Sequence, residues 1–394
     1  MLLFPAVQRM LRHYLFVIVS MLRYNYRAMA PVGFRTVNGV EESGYNMRKI
    51  IKTVCFIIGL VMILTFTSGI MTRKSGGDIN MIRSFYDLDR NSLDVLCLGS
   101  SHAYYGFQPN VLWNEKGLAS YIMGSPSQTM VCSYYLLEEA LKYQKPKVVL
   151  LEGYYFITYQ PYINEHTLRS VTDEIRMGRP RISLLREAIP DLPWKEQLSY
   201  YFPFLLYHNR WNDLKDCDFK YHRYLKGSRI TTTIEPYSDP GMDVKAKEIP
   251  EMAREYFEKI LALCRENDIE LVVFEAPFTD TDGEKIDWYK HTMGIAISME
   301  DYLAERNVPY LFFQKSGIAK IDFNTDLFNA QHLNSYGAEK LTKCIGDFLV
   351  NQYGLKSHKG EASYSQWDKD YEEYQKALDQ LLDTGEEETE INDV

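Results

Sequence analysis

Two short stretches far apart in the chain carry residue types that could do nucleophilic chemistry. The first, DVLCLGSSHAYYG (94–106), runs an apolar segment into a glycine, two serines and a histidine; the second, DLFNAQHLNSYGAEKLT (326–342), holds His332 just ahead of a helical pattern. A serine hydroxyl needs a base within hydrogen-bond reach, and that base needs a third group to orient it. Ser100 or Ser101 with His332 would supply the first two parts. The same residues also suit ordinary structure. Either serine can cap the helix that follows, and a lone histidine before a helix is usually scaffold.

These residues are useful to one another only if the fold brings them to one edge. The run 95–98 has the length and composition of a strand buried on both faces, and Gly99 ends it. Further strands are predicted at 120–123, 147–152, 270–275 and 309–313, with helices at 129–143, 252–267, 285–306 and 335–352, the last opened by Asn334 as N-cap. Such alternation predicts an α/β fold with a parallel sheet between two helical layers. In such sheets ligands bind beyond the strands' C-terminal ends, which is where Ser101 and its neighbours fall. Glu152, at the end of the third strand, would face the same cleft and bind a substrate hydroxyl or hold His102; otherwise it is a paired acid at a strand end. His102 reads as an oxyanion or lid contact and Gln128 as a donor at a helix start, each equally suited to local scaffolding.

The interval 159–250 breaks the alternation and reads as an inserted, partly helical subdomain over one end of the sheet. It contains YYFPFLLYHNRWNDL (200–214), where His208, Arg210 and Trp211 could face a sugar ring or an anion. Equally, Trp211 could anchor the insertion while Arg210 pairs with Asp213 or Asp216. Residues 361–383 carry an amphipathic stripe of Trp367, Tyr371, Tyr374, Leu378 and Leu381, expected to pack back on the domain; 384–394 read as an acidic disordered tail.

The 394 residues are 46% hydrophobic and 25% charged, a globular composition, with a net charge of −9. From Glu361 onward there are twelve acids against Lys369 and Lys376, so the tail accounts for the whole imbalance and the rest is nearly neutral. That argues against nucleic acid as a partner. Residues 53–71 carry no charge and are long enough to span a bilayer, giving a predicted anchor over 50–71 followed by a linker over 72–88. Arg48, Lys49 and Lys52 precede it, which predicts a cytoplasmic N-terminus and a domain outside the cell membrane; a cleaved signal peptide is the competing reading. Residues 1–46 read as a cytoplasmic extension or as sequence upstream of a true start at Met47. The six cysteines show no paired spacing, so neither a metal site nor a disulfide framework is expected, and no cofactor is implied.

Read together, the two chemistry-bearing stretches resemble the SGNH/GDSL family of esterases and acyltransferases over roughly residues 90–350. In that family the nucleophilic serine ends the first strand in a G-D-S or G-S-S block, and a D-x-x-H block near the C-terminus supplies acid and base. Gly99-Ser100-Ser101 matches the first block, which makes Ser101 the implied nucleophile. His332 matches the last as base. Gly124 in YIMGSPSQT matches the second, implying that its amide and that of Ser101 hold an oxyanion, a donor of this kind being worth about 3 kcal/mol. The resemblance implies a flavodoxin-like α/β/α catalytic domain over 89–354. Two positions depart from it. Asn329 stands where the family usually has aspartate, and LLEGYYF offers Glu152 where the third block usually supplies asparagine. An Asn carbonyl can orient a histidine but cannot balance an imidazolium, which keeps Asp326 in contention and implies a weakened or inactive site as an alternative. An anchor followed by an external domain is similar to the D-alanyl transfer protein of teichoic-acid modification and to polysaccharide O-acetyltransferases. That likeness implies an acylated cell-wall or exopolysaccharide substrate and a membrane-bound O-acyltransferase as partner.

Overall fold

Residues 95–99, 120–124 and 148–152 are buried throughout, and their alternate side chains enter two separate apolar cores, one on each side of a sheet. In the computed structural model, which describes residues 40–72, 81–214, 218–219, 224–279 and 285–384, five parallel strands make that sheet. They are β1 (Val95–Gly99), β2 (Ser120–Gly124), β3 (Val148–Glu152), β4 (Glu270–Glu275) and β5 (Tyr310–Phe312), in the order β2-β1-β3-β4-β5. All four pairings are parallel, with Gly99 beside Gly124 and Glu152 beside Phe274. This is the flavodoxin-like order. The chain leaves β1 to one side for β2 and crosses back to β3, so a crevice opens at the C-terminal end of β1, where ligands bind in such sheets.

The helices are α1 (Val40–Met71), α2 (Ser101–Gly106), α3 (Pro109–Lys116), α4 (Met130–Ala140), α5 (Glu165–Thr172), α6 (Arg179–Ala188), α7 (Trp194–Tyr201), α8 (Phe204–Tyr207), α9 (Glu251–Glu266), α10 (Lys285–Ala304), α11 (Phe313–Ser316), α12 (Ser335–Tyr353) and α13 (Ser365–Thr384). Apolar residues of α4, α9 and α10 meet Leu96, Leu98, Val149, Leu151 and Val273 on one face of the sheet; those of α2, α3 and α12 meet Val95, Cys97, Leu150 and Val272 on the other. The three-layer α/β/α expectation is borne out, and each predicted strand falls within a residue or two of the observed one. A short antiparallel pair, β6 (Leu327–Asn329) and β7 (His332–Leu333), precedes α12.

Two compact units are distinguished, one through Leu64 and the other from Thr65 onward. The span Met47–Met71 of α1 is long and apolar enough to cross a membrane, and its side chains are largely unburied. Residues 1–39 and 385–394, on which an N-terminal extension and a disordered tail were expected, lie outside the described residues.

The linker expected over 72–88 is shorter than that. Met81, Ile82 and Phe85 are core residues, and Arg83–Asp87 forms a 3-10 turn. Among the described residues of the interval 159–250, α-helix is confined to the first part (α5 to α8). Residues 224–250 then run along the molecule as irregular chain, with the Lys226 carbonyl accepting from the β2 residue Ile122 and the Tyr104 carbonyl from the Arg229 amide. Helix α13 packs back on the domain through the expected stripe. Trp367 meets Trp113 at 5.7 Å between ring centroids, and Trp113 Nε1 donates to Asp368 at 3.0 Å. The stripe also hides an acid that periodicity did not reveal: Asp370, fully buried, pairs with Lys226.

Candidate functional site

Gly99 lets the chain turn off β1 against its neighbours. A Cβ there would stand 2.4 Å from Glu152 Cβ and 2.9 Å from Ala103 Cβ, closer than carbon atoms can approach. The next residue, Ser100, is the N-cap of α2: its hydroxyl accepts from the His102 amide at 3.3 Å and donates to Glu152 Oε2 at 2.8 Å. The two serines therefore divide the roles the sequence left open. Ser100 is buried and caps the helix, while Ser101, its first residue, is partly exposed.

Ser101 Oγ lies 2.8 Å from His332 Nε2. His332 opens β7 and pairs with Asn329 at the end of β6, so the turn between them brings the Asn329 side chain back toward the imidazole. Asn329 Oδ1 accepts from the amides of Gln331 (2.9 Å) and His332 (3.0 Å) and lies 3.0 Å from His332 Nδ1. Two backbone N–H groups can be met only by the amide oxygen, which fixes the orientation of the Asn329 side chain. The oxygen then requires a proton on Nδ1, leaving the Nε2 lone pair to accept from the Ser101 hydroxyl. The loop is held from below by Asn334, which caps α12 through the Tyr336 and Gly337 amides and donates Nδ2–H to the carbonyls of Thr325 (2.8 Å) and Thr233 (3.1 Å).

Asp326 is not the orienting acid. Its Oδ2 accepts from Lys340 Nζ (2.6 Å) and the Asp322 amide (2.7 Å), and Oδ1 from the Thr325 hydroxyl (3.1 Å). These contacts tie the acid to the loop preceding β6 and to α12, and the third-group geometry falls to Asn329 instead.

Aromatic rings enclose His332. Phe328 lies parallel to His332 with centroids 5.6 Å apart, Tyr105 stands at 5.1 Å, and the His102 ring at 5.1 Å. This burial pushes the His332 pKa down to about 4, so the imidazole is neutral and able to accept a proton at ordinary pH. His102 is more deeply buried, stacked on Tyr154 at 4.1 Å and edge-on to Phe278 at 5.3 Å. Burial, with His332 beside it, holds its pKa well below the usual histidine value, and its Nε2 has no hydrogen-bond partner among the described residues.

Glu152 does not open into a cleft. It is 1% exposed; Oε2 also accepts from the Ser100 amide at 3.2 Å, and Oε1 from the Tyr154 amide at 2.5 Å. It holds Ser100 and not His102. Burial raises its pKa to about 7, against the lowering effect of those donors. Glu275, ending the next strand, is also buried; desolvation and the nearby Glu152 charge push its pKa well above the carboxylate range.

Gln128 is fully engaged in the β2–α4 loop, donating to the Met123 carbonyl (3.2 Å) and Ser133 (3.1 Å) and accepting from Ser125 (3.0 Å). Gly124 ends β2 beside Gly99. Of the insertion residues, Arg210 is committed to the Met71 carbonyl (2.6 Å) and to Asp218 (3.2 Å); Asp216, one of the two acids expected to pair with it, lies outside the described residues. His208 and Trp211 are exposed, and no hydrogen bond or ring contact joins them to the Ser101–His332 pair. Sequence reasoning missed Tyr105, Phe328, Tyr154 and Glu275. The one visible signal was that both LLE and VFE end an apolar strand in a carboxylate.

No protein-family model matches the chain, and no curated protein sequence does. Among solved structures it is similar to a carbohydrate acetylesterase family member from Sinorhizobium meliloti. The match has 10% identity and a TM-score of 0.33, and covers 66% of this chain and 99% of that one.

Two outcomes follow from these charges. The folded pKa of Glu152 lies above its ordinary value of 4.5, so its contribution to stability is full below that value and is lost as pH rises through about 7. Glu152→Gln is expected to flatten the fall in unfolding free energy over this window by roughly 3 kcal/mol, read by denaturant titration at several pH values. Asn329→Asp keeps the acceptor and adds a charge. The His332 midpoint, followed by NMR, is expected to move up by about 1–3 pH units; an unmoved midpoint would place the Asn329 side chain elsewhere.

Proposed function

We propose that the protein is a membrane-anchored serine esterase or O-acyltransferase of the SGNH type, acting on acyl esters of a cell-envelope or exopolysaccharide polymer. The observation that carries this reading is the relay from Ser101 Oγ to His332 Nε2 and from His332 Nδ1 to Asn329 Oδ1. Ser101 Oγ attacks the ester carbonyl carbon while its proton passes to Nε2. The resulting oxyanion is held by the Ser101 amide, at the start of α2, and the Gly124 amide, at the end of β2, the strand that pairs with β1. Collapse breaks the bond to the leaving sugar oxygen, which takes the proton from Nε2, and leaves an acyl group on Ser101. Water or a second sugar hydroxyl, deprotonated by His332, then releases the acyl group; which of the two reaches it separates hydrolysis from transfer.

The span Met47–Met71 supports anchoring; the basic residues Arg48, Lys49 and Lys52 ahead of it favour a domain outside, and the resemblance favours a membrane-bound O-acyltransferase as the donor-side partner. A second reading rests on Asn329. With no carboxylate against His332 the imidazolium is poorly stabilised, which favours a weak or inactive module that binds polysaccharide or supports an acyltransferase.

The two readings separate on an acetylated sugar. With the full chain in detergent, the enzyme reading expects acetate release, or acetyl transfer to an added oligosaccharide. Ser101→Ala and His332→Ala are each expected to lower the rate by about 10⁴-fold or more. Binding without turnover, unchanged in both variants, would favour the module.

A further inference from the structure

Between Trp194 and Trp211 the described chain forms α7, α8 and a 3-10 turn (Arg210–Asn212), and it exposes Trp194, Leu198, Phe202, Leu205, Leu206 and Trp211. Trp194 and Trp211 are 66% and 68% exposed. The polar contacts of these helices lie on the other side. Arg181 donates to the Tyr200 carbonyl at 2.8 Å, and Arg169 donates to the Ser199 hydroxyl at 2.7 Å while its guanidinium lies 3.9 Å over the Tyr200 ring. Tyr207 donates to Asp173 at 3.0 Å. A surface helix ordinarily buries its apolar side and shows its polar one. Here the inner side packs Tyr200 into the domain core and is held by Arg169 and Arg181, yet a second set of large apolar side chains is left uncovered on the outside.

Two further arginines join this region to the end of the apolar span. Arg83 donates both to the Asp173 carbonyl (2.9 Å) and to the Gly69 carbonyl in the last turn of α1 (2.9 Å), and it pairs with Glu174. Arg210, next to Trp211, donates to the Met71 carbonyl. The last carbonyls of α1 are thus fastened to the network that carries α7 and α8. A helix of 25 residues, the length of Met47–Met71, measures about 37 Å, enough for a hydrocarbon core of about 30 Å, so Met71 falls at a membrane boundary.

We propose that the outer face of α7, α8 and the turn at Trp211 rests in the lipid headgroup region, with its aromatic and aliphatic side chains at the headgroup–acyl boundary. This rests on the anchored reading above. Tryptophan is favoured at that depth because its ring is apolar with a polar N–H, and an apolar face beside the membrane exit is covered by lipid as soon as the span inserts. The segment 191–214 carries Asp191, Glu196 and Asp213 against Lys195 and Arg210, so contact with lipid is driven by apolar burial and needs no anionic lipid.

The test uses the full chain in phosphatidylcholine liposomes with plain or brominated acyl chains, since bromine quenches tryptophan on contact. Of the five tryptophans, Trp113 and Trp367 are buried, and Trp288 donates to Tyr154. Emission is expected to fall in brominated liposomes, with the fall largely abolished by Trp194→Phe with Trp211→Phe and unaffected by high salt. Protein that floats with the liposomes but emits equally in both lipids would overturn the lipid contact while sparing the anchor, and would turn attention to a protein partner. Quenching that persists undiminished in the double variant would also overturn it. Protein that does not float would overturn anchor and contact together.

Discussion

One amide oxygen, Oδ1 of Asn329, organises the candidate site. It accepts from two backbone amides and faces Nδ1 of His332, so the turn between β6 and β7 and the tautomer of the base are set by the same atom. An asparagine in this place elsewhere can face the histidine with either end of its amide. In a serine protease the Asp-to-Asn change leaves the histidine in the wrong tautomer, at a cost of about 10⁴ in rate. The backbone donors here exclude the wrong orientation. What is lost is only the charge that would stabilise the imidazolium, and the rings of Phe328, Tyr105 and His102 deepen that loss by desolvating the base.

The turn that follows β1 faces the opposite arrangement. Glu152 sits beneath it with no cation beside it among the described residues, stabilised by the Ser100 amide and hydroxyl and the Tyr154 amide, with a second buried acid, Glu275, on the neighbouring strand. Burial disfavours charge on both acids, and these three donors favour it on Glu152. The carboxylate is therefore a rigid acceptor that fixes Ser100 as cap and leaves Ser101 to face His332. The asymmetry between two adjacent serines follows from this one contact.

Much of the fold was legible because buried parallel strands read as short apolar runs and the helices between them keep their periodicity. The 95–98 and 148–152 segments are of this kind. Each residue of the Ser101–His332 pair alone suited ordinary structure, and the pairing was legible only when the two stretches were read together as the blocks of the resembled family. Three things were not. The choice between Asp326 and Asn329 depends on where Lys340 reaches, a contact fourteen residues along the chain. Glu152 was read as facing the cleft because strand alternation does not say which end of a side chain meets a cap. Arg210 and Trp211 looked like ligand-binding types, but tertiary contacts with the Met71 carbonyl and Asp218 commit the first, and its neighbour stays exposed. The buried pair of Lys226 and Asp370 was invisible for the same reason: a charge on a helical stripe reads as solvated until its partner is seen.

The central claim is that Ser101 is activated by a neutral His332. Its most direct measurement is reaction of the full chain with a fluorophosphonate, followed by intact and peptide mass. A single adduct on Ser101 that is absent in His332→Ala is expected. A folded protein that takes up no adduct, or carries it on Ser100, would contradict it.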